Sequence, residues 1–368
     1  MKIREKILPV LGPYGEDDDV EAVAESVLSG WWGKGPRVAE FEEKFAKLVG
    51  SKYAVAVNSN SAGQDLIMKA LGMKGVDIIN PTISFLATAV IPLWNDCSTN
   101  IVDVTSETLN IDPEDVEKYK KSNSELLIAV NMAGIPAPID DIRTKFGGFI
   151  LEDCAHSCYV QGAGTLGDIA VWSFQAVKTL PCGDGGMITT NDENLYRKLT
   201  DMTWFGIPST YSRVGKKGAG GYTWDYDVDI LGYKCYMIDL QAALALSQLK
   251  KLNKSLSTRL QIQKSYNKNL SKFVERPPHS DTVQYYVARV PTSDRNLLID
   301  YLAEKNIHTS VHFKPLHLHK LLKQERQYPQ ADSIWTQLIS FPCHAGMTEE
   351  DIEYVIYWVN KYFEEKYS

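Results

Sequence analysis

Apolar residues along this chain follow two alternating spacings. Short apolar runs rich in β-branched and aromatic residues, typical of buried strands, are separated by stretches in which apolar residues recur as on one face of a helix. The runs predict strands at residues 53–57, 78–81, 100–104, 126–131, 149–152, 169–174 and 187–190. The helical spacing predicts helices at residues 16–28, 38–49, 82–90 and 239–253, one between residues 63 and 71, and one after residue 191.

This rhythm of strands and helices predicts an α/β domain with a mainly parallel sheet. Farther along, strands at residues 282–290 and 307–313 and helices at residues 295–305 and 348–362 predict a smaller C-terminal α+β domain. For a chain of 368 residues we therefore expect a large domain at residues 1–250 and a small one at residues 251–368. Parallel sheets bind ligands beyond the carboxyl ends of their strands, so the polar residues that follow each strand are the candidate site.

Composition and charge narrow the class of protein. Hydrophobic residues make up 44% of the chain and charged residues 23%, which is ordinary for a soluble globular protein. The net charge of −7 argues against nucleic acid or an anionic membrane as the main partner. The first residues contain no long apolar run, and the six cysteines lack disulfide-like spacing. We expect a cytoplasmic, reduced protein without a signal peptide or membrane anchor.

The segment from Asp168 to Thr190 carries the main chemical candidate. A single lysine, Lys178, lies between two predicted strands and before a glycine-rich turn at residues 183–186. Burial disfavours the charged form of a lysine, and a neutral amine attacks carbonyl carbons. An exposed lysine whose stem covers apolar surface fits this segment equally well.

Other polar or aromatic candidates also follow predicted strands. Ser61 lies in the small polar segment at residues 58–63, where a helix begins and where free N–H groups favour an anion such as phosphate. Ordinary N-capping explains the same residues. Asp153 follows the strand at residues 149–152, and Phe85 follows the strand at residues 78–81. These three residues and Lys178 all follow predicted strands, and this shared placement indicates a ligand site more strongly than any one of the residues does.

One glycine motif imitates a nucleotide site. Residues 162–167 have the G-x-G-x-x-G spacing of a dinucleotide-binding loop. That motif must follow a strand and open a helix, whereas here it precedes the strand at residues 169–174. We interpret it as a turn.

An amine, a carboxylate at a strand end, an anion cradle and an aromatic ring in one rim are what pyridoxal phosphate (PLP) requires. The wider sequence resembles the DegT/StrS-type sugar aminotransferases. This resemblance covers nearly the whole chain and implies the type I, aspartate aminotransferase-like fold of PLP-dependent transferases. The matching motifs are GPRVAEFE at residues 35–42, VNSNSA at 57–62, PTISF at 81–85, LNIDP at 109–113, EDCAH at 152–156, the segment at 167–186, QAAL at 241–244 and HFKPLH at 312–317.

The resemblance implies a role for each matching residue. Lys178 is expected to form the Schiff base with the cofactor and later to shuttle a proton, and Asp153 is expected to pair with the pyridine nitrogen. His156 is expected to reach the cofactor's phenolic oxygen, and Phe85 to stack on its ring. The expected phosphate contacts are Ser61, Ala62 and Ser173.

The chain departs from the family pattern at several positions. Asn60 stands where the family usually has glycine, and Asn131 stands where it has a histidine. Lys234 replaces an asparagine that reaches the phosphate of the neighbouring subunit's cofactor, which resembles members acting on 8-oxo-Kdo. A lysine can make this contact with a full charge but with less directionality. These changes leave PLP as the expected cofactor and open the question of the substrate.

The resemblance implies transfer of an amino group from an amino acid, with glutamate expected, to a keto-sugar. The expected setting is the biosynthesis of cell-surface polysaccharide, lipopolysaccharide or nucleotide sugars, with 8-oxo-Kdo among the acceptors, in a homodimer. The alternatives are a PLP-dependent sugar dehydratase, which has histidine at the position of Lys178, and an inactive PLP-binding homologue.

Candidate sugar contacts lie in two polar segments. Trp31 and Lys34 stand in an early loop, and His312 and His317 belong to a polar cluster with Lys314 and His319 in the second domain. A surface turn with satisfied histidines explains that cluster equally well. We expect no metal site, because no carboxylate or cysteine completes a known zinc spacing with these histidines.

Overall fold

The computed structural model, which describes residues 1–158, 162–209, 225–276 and 284–368, is organised around one central sheet. Within these residues the strands of this sheet are β1 (Tyr53–Val57), β2 (Asp77–Pro81), β3 (Ser98–Val102), β4 (Ser124–Val130), β5 (Phe149–Asp153), β6 (Ile169–Ser173) and β7 (Gly186–Thr190). Their order is β1-β7-β6-β5-β4-β2-β3, and each neighbouring pair is parallel except the two that β7 forms. The predicted α/β fold with a mainly parallel sheet is confirmed.

Helices cover both faces of this sheet because successive strand residues point to opposite sides. Ala54 and Ala56 of β1 pack with α2 and α8, whereas Val55 and Val57 pack with α3 and α7. The helices of the described residues are α1 (Asp17–Leu28), α2 (Pro36–Val49), α3 (Asn60–Ala70), α4 (Ala87–Trp94), α5 (Pro113–Tyr119), α6 (Ile139–Lys145), α7 (Glu193–Met202), α8 (Asp239–Lys250), α9 (Leu252–Asn269), α10 (Thr292–Ala303), α11 (Pro329–Ile334) and α12 (Glu349–Tyr367).

The C-terminal part has a hydrophobic core of its own. The antiparallel strands β8 (Tyr286–Arg289) and β9 (Leu338–Phe341) form its sheet, and α9, α10 and α12 pack on it. Leu8 belongs to the same core through a backbone bridge with Ile307, so the first residues of the chain pack with the last third. The domain division at residue 250 stays a prediction.

The predicted helix at residues 82–90 is wrong at its start, because α4 begins at Ala87. The N–H of Thr82 donates to the Val102 carbonyl at 2.9 Å, and the Thr82 carbonyl accepts from the Leu316 N–H at 2.7 Å. These bonds hold Thr82 against the neighbouring strand and the C-terminal part. Phe85 therefore lies in the approach to α4 rather than on a helix.

Other differences concern the C-terminal part. The strand predicted at residues 307–313 does not form, since the described bridges there are isolated ones, at residues 307 and 310. The strand predicted at residues 282–290 is β8, with residues 282 and 283 outside the described ranges. The loop predicted at residues 206–221 also lies outside them from residue 210 onward. The pattern missed α11, β9 and the course of α9 beyond residue 253.

The glycine motif at residues 162–167 forms a turn before β6, as predicted. The N–H groups of Gly164, Leu166 and Gly167 donate to the Glu152 carboxylate at 2.5 to 2.9 Å. This turn therefore serves a buried side chain of the fold. No helix in the described ranges combines the length and the apolar content that a bilayer crossing requires.

Candidate active site

A cavity of about 460 Å³ opens beyond the carboxyl ends of β5 and β6. This is where parallel sheets bind ligands, and the volume lies within the range of about 300–1,000 Å³ that is typical of small-molecule sites. The sheet side of the cavity includes Ser61, Asp153 and Ser173, and the C-terminal side includes Tyr285 and His312. Both cores of the molecule therefore contribute to one site.

Lys178 enters this cavity from a narrow excursion of the chain between β6 and β7. A backbone bond of 2.8 Å from the Cys182 N–H to the Phe174 carbonyl closes the base of the excursion. Lys178 is partly buried, and its Nζ donates to the Tyr285 hydroxyl at 3.3 Å. Of the two interpretations that the sequence allowed, the geometry favours an amine held inside the site over a lysine lying on the surface.

Asp153, the last residue of β5, points its carboxylate into the same cavity. Oδ1 accepts from Asn60 Nδ2 at 3.0 Å and from the Ala155 N–H at 3.1 Å, and Oδ2 accepts from Gln64 Nε2 at 2.9 Å. Burial raises the pKa of Asp153 above its usual range, while these bonds and the charge of Lys178 act in the opposite direction. Three hydrogen-bond donors thus hold the carboxylate, and a cationic partner would stabilise its ionised form further.

The start of α3 forms the polar end of the cavity. Ser59 caps the helix by accepting from the Ala62 N–H at 3.1 Å, and Ser61 of α3 and Ser173 of β6 both line the cavity. Gly186 makes this arrangement possible, because a Cβ there would lie 2.5 Å from the backbone of Ser59. Helix N-terminal N–H groups and hydroxyls suit a phosphate. Ala62 itself is absent from the cavity wall, and its N–H is used by the cap.

Two histidines and an aromatic wall face Lys178. The His156 ring meets Tyr285 edge-on at 4.7 Å and stacks near Phe313 at 6.0 Å, and the His312 ring stacks on Tyr285 at 4.0 Å. Burial lowers the pKa of His156 well below its usual value and that of His312 to about 3, with the charge of Lys178 acting in the same direction. Both rings are therefore neutral near pH 7.

His156 is also the clearest mark of a missing ligand. Its Nδ1 is buried and has no hydrogen-bond partner in the described residues, although it belongs to a side chain on the cavity wall. Such orphaned polar atoms are costly unless a ligand or water satisfies them. An amine, a carboxylate, a phosphate cradle and this nitrogen together fit PLP. In contrast, no group of three His, Cys, Asp or Glu residues in the described ranges is placed to hold a metal ion.

Comparison with known proteins decides the family. A sequence model of the DegT/DnrJ/EryC1/StrS aminotransferase family matches residues 13–360. The chain belongs to this family. It is a PLP-dependent sugar aminotransferase.

Individual relatives of this aminotransferase match over 96% or more of their own length. The spore coat polysaccharide biosynthesis protein SpsC of Bacillus subtilis is 33% identical over 96% of both chains. The aminotransferase TlmJ of Streptoalloteichus hindustanus, 26% identical, superposes with a TM-score of 0.91 over 98% of this chain and 100% of its own. The sugar aminotransferase CalS13 of Micromonospora echinospora, 25% identical, reaches 0.86 over 96% and 100%. The expected aspartate aminotransferase-like fold is confirmed.

The structure does not bring His317 into the cavity of the aminotransferase. Its Nδ1 lies 2.6 Å from the Thr82 hydroxyl, its Nε2 lies 3.0 Å from Asp332 Oδ1, and its ring stacks on Tyr328 at 4.0 Å. Both nitrogens and the ring face are occupied. In this geometry His317 ties the approach to α4 to the C-terminal part, and the expectation of a sugar contact has no support.

Three further predicted residues lie outside the cavity of this chain. Trp31 and Lys34 stand in the exposed loop between α1 and α2, and Lys234 stands in an exposed segment that pairs with the end of β1 through Tyr236. Phe85, in contrast, lines the cavity at its mouth and is 60% exposed, with its ring 6.1 Å from that of Phe313. A single chain therefore brings together the expected cofactor residues other than Ala62 and Lys234.

Sequence reasoning missed the residues that support Asp153 and Lys178. Asn60 and Gln64 are one helical turn apart on α3, which packs on the sheet. A polar pair at this spacing could have been recognised in the sequence as a partner for a buried polar group. Tyr285 gave no such signal, because it comes from the C-terminal part, 107 residues from the lysine that it contacts.

Proposed function

We propose that this aminotransferase moves the amino group of L-glutamate onto a keto-sugar that is built into a cell-surface polysaccharide. The convergence of Lys178, Asp153 and His156 on one cavity supports the chemistry. The name of SpsC, a spore coat polysaccharide biosynthesis protein, supports the setting. A keto-sugar of the 8-oxo-Kdo kind remains among the acceptors that we propose, on the ground of Lys234.

Bound PLP would supply an electron sink for removal of a proton next to the amino nitrogen. In this proposal Lys178 Nζ would move the proton from the α-carbon of the amino donor to the cofactor in the first half of the reaction, and would move a proton from the cofactor to the sugar carbon that receives the amine in the second half. The carboxylate of Asp153 holds a proton at the pyridine nitrogen, which relieves the cost of burying its own charge. His156 Nδ1 would bond the phenolic oxygen. Ser61, Ser173 and the N–H groups at the start of α3 would hold the phosphate.

The walls of the cavity would exclude water from this chemistry. Beside Lys178, Tyr285 stacks on His312 and Phe313 meets the His312 ring edge-on, while Phe85 lies at the mouth. A dry wall keeps the lysine amine from full solvation and strengthens the electrostatic interactions inside the site. Because His312 is neutral near pH 7, it would orient a sugar hydroxyl rather than bind an anionic group.

We also propose that the active form is a homodimer in the cytoplasm. An assembly would cover some of the large apolar side chains that this chain exposes, among them Leu28 at 87%, Trp94 at 67% and Leu231 at 92%. Trp31, Lys34 and Lys234 would then serve the site of the neighbouring chain. The six cysteines are all free and buried, which suits a reducing compartment.

The identity of the lysine is tested by chemical trapping. We expect borohydride treatment of the PLP-loaded protein to leave the label on the peptide that contains Lys178. Lys178→Ala and Lys178→Arg should lose both the label and turnover, while Lys254→Ala, at an exposed lysine outside the cavity, should keep both. A label on another peptide of the unmodified chain would contradict the proposal.

The donor and the acceptor are tested separately. Without any sugar, L-glutamate should shift the visible absorption of the bound cofactor and release 2-oxoglutarate, whereas other amino acids should act more slowly. A glutamate-driven screen of nucleotide-linked keto-hexoses and 8-oxo-Kdo then identifies the acceptor by mass spectrometry. A loaded protein whose spectrum responds to no amino acid would rule out amino transfer.

A further inference from the structure

The side chain of Gln284 holds the backbone on both sides of Lys178. Its Oε1 accepts from the Thr179 N–H at 3.1 Å and from the Thr179 hydroxyl at 2.9 Å, and its Nε2 donates to the Val177 carbonyl at 3.0 Å. Gln284 is 1% exposed. An amide that is buried and bonded at both ends has little rotational freedom, so the peptide groups that flank the lysine are fixed with it.

The backbone of Gln284 is itself held from two directions. Its N–H donates to the Ala133 carbonyl at 3.3 Å, and its carbonyl accepts from Arg259 Nη1 at 3.0 Å. The same Arg259 nitrogen donates to the Cys343 carbonyl at 2.8 Å, and the side chain of Arg259 is 1% exposed. The backbone of Gln284 is therefore held in place by Ala133 and by Arg259 of α9.

The next residue acts on the amine of the same lysine. The Tyr285 hydroxyl accepts from Lys178 Nζ at 3.3 Å, and its ring is fixed between His312 and His156. Gln284 thus contacts the backbone that flanks Lys178, and Tyr285 contacts the amine of the same lysine. The excursion that carries the lysine is closed at its base by bonds of 2.8 Å from the Cys182 N–H to the Phe174 carbonyl and from the Ala176 N–H to the Gly183 carbonyl. Beyond that closure, Gln284 holds the backbone on both sides of the lysine and Tyr285 holds its amine.

We propose that Gln284 is a positioning residue that fixes Lys178 where its Nζ can form a C=N bond to the aldehyde carbon of PLP, the aldehyde oxygen leaving as water. The inference rests on the proposed role of Lys178. Without the amide, the Val177 carbonyl and the Thr179 donors lose their partners in a buried place, and the excursion relaxes to satisfy them. Nζ then leaves its productive position for part of the time, and a covalent bond that depends on orientation weakens.

A double-mutant cycle separates positioning from general support of the fold. The PLP dissociation constant is measured for the unmodified protein, Gln284→Met, Lys178→Ala and the double variant. Methionine keeps the volume of glutamine and removes its hydrogen bonds. We expect Gln284→Met to raise the dissociation constant about tenfold, roughly 1.4 kcal/mol, when Lys178 is present, and to leave it unchanged in the Lys178→Ala background, because no covalent bond remains to be lost.

Spectra and stability complete the test. In Gln284→Met the fraction of cofactor that borohydride attaches to Lys178 should fall at saturating PLP. Gln248→Met is the matched control: Gln248 is a buried glutamine that donates to the Tyr14 carbonyl at 2.9 Å, and its loss should lower stability without changing that fraction. If Gln284→Met does not fold, Gln284→Glu takes its place, since glutamate keeps the acceptor for Thr179 and loses the donor for Val177.

The outcomes are distinct. An equal rise of the dissociation constant in both backgrounds, or no rise in either, overturns the positioning role of Gln284 while Lys178 keeps its own. If Lys178→Ala leaves the affinity for PLP unchanged and the label lies on another peptide, the proposed function fails together with this inference. A rise that needs Lys178 supports both.

Discussion

Removal of Gln64 tests whether the site was built to hold a buried, ionisable Asp153. In Gln64→Leu the carboxylate loses the 2.9 Å bond to Oδ2. Such a bond is worth about 1.5–3 kcal/mol to an ionised acceptor and about 0.5–1.5 kcal/mol to a neutral one. The ionised form is therefore disfavoured by about 1–1.5 kcal/mol relative to the neutral form, which would raise the pKa of Asp153 further.

The sign of the pH dependence follows from the direction of the existing pKa shift. The folded-state pKa of Asp153 lies above its value in the unfolded chain, so its contribution to stability is complete below the unfolded pKa and is lost as the pH rises through the folded pKa. The cost of Gln64→Leu in the cofactor-free protein should therefore grow from about 0.5–1.5 kcal/mol when Asp153 is protonated to about 1.5–3 kcal/mol when it is ionised.

Urea denaturation of the cofactor-free protein at a series of pH values measures this cost. Gln248→Leu is the control, because it removes an equivalent 2.9 Å bond to Asp19, whose pKa is lowered by its bonds to Lys251 and the Glu16 backbone in spite of burial. Asp19 is ionised throughout the neutral range, so the control's cost should stay constant there. A cost of Gln64→Leu that is equally independent of pH would refute the account of Asp153.

The remaining predictions concern other parts of the molecule. Burial lowers the pKa of His344 to about 4, so the contribution of His344 to stability is present above the unfolded pKa and is lost as the pH falls. The free energy of unfolding should therefore fall between about pH 7 and about pH 5, and His344→Gln should reduce that fall by roughly 2 kcal/mol, as measured by urea denaturation. Gly186→Ala should destabilise the protein by about 1–3 kcal/mol and weaken PLP binding, whereas Gly147→Ala, where a Cβ meets nothing within 4 Å, should change the melting temperature little; equal effects of the two variants would count against a tight approach at Gly186. Mixing Lys178→Ala with Lys234→Ala chains should restore about a quarter of the activity if Lys234 serves the neighbouring site of a dimer, and a mixture as inactive as its parts would remove that role.

The sheet and its helices could be predicted because the signals are local. The run at residues 53–57 is β1 to the residue, and Asp153, the predicted partner of the pyridine nitrogen, lies at the end of β5 as its sequence position implied. What failed had causes distant in sequence. The start of α4 is delayed because Thr82 bonds the backbone of Leu316 and the ring of His317, and no window around residue 82 contains that information.

His312 and His317 show the same limit within one motif. Both lie in the segment at residues 312–317 and both are buried, yet His312 stacks on Tyr285 in the cavity and His317 stacks on Tyr328 away from it. Both residues are histidines, so the residue type alone does not tell which of them faces the cavity; the residues that each one contacts do. Among the described residues, His312 has one hydrogen-bond partner, Ser340 at 2.8 Å from Nδ1, whereas both nitrogens of His317 have partners.

The two main groups of the active site, Asp153 and Lys178, are held by residues at different distances along the chain. Asp153 is held by Asn60 and Gln64 of α3, which packs on the central sheet, whereas Lys178 is held by Gln284 and Tyr285 from the C-terminal part. The acid and the amine therefore depend on separate parts of the fold. A substitution that loosens the C-terminal core should disturb the lysine directly and should reach Asp153 only through the charge of Lys178, which lowers the pKa of Asp153. The distance between lysine and carboxylate is then set by how the two cores pack, which makes their interface part of the catalytic apparatus.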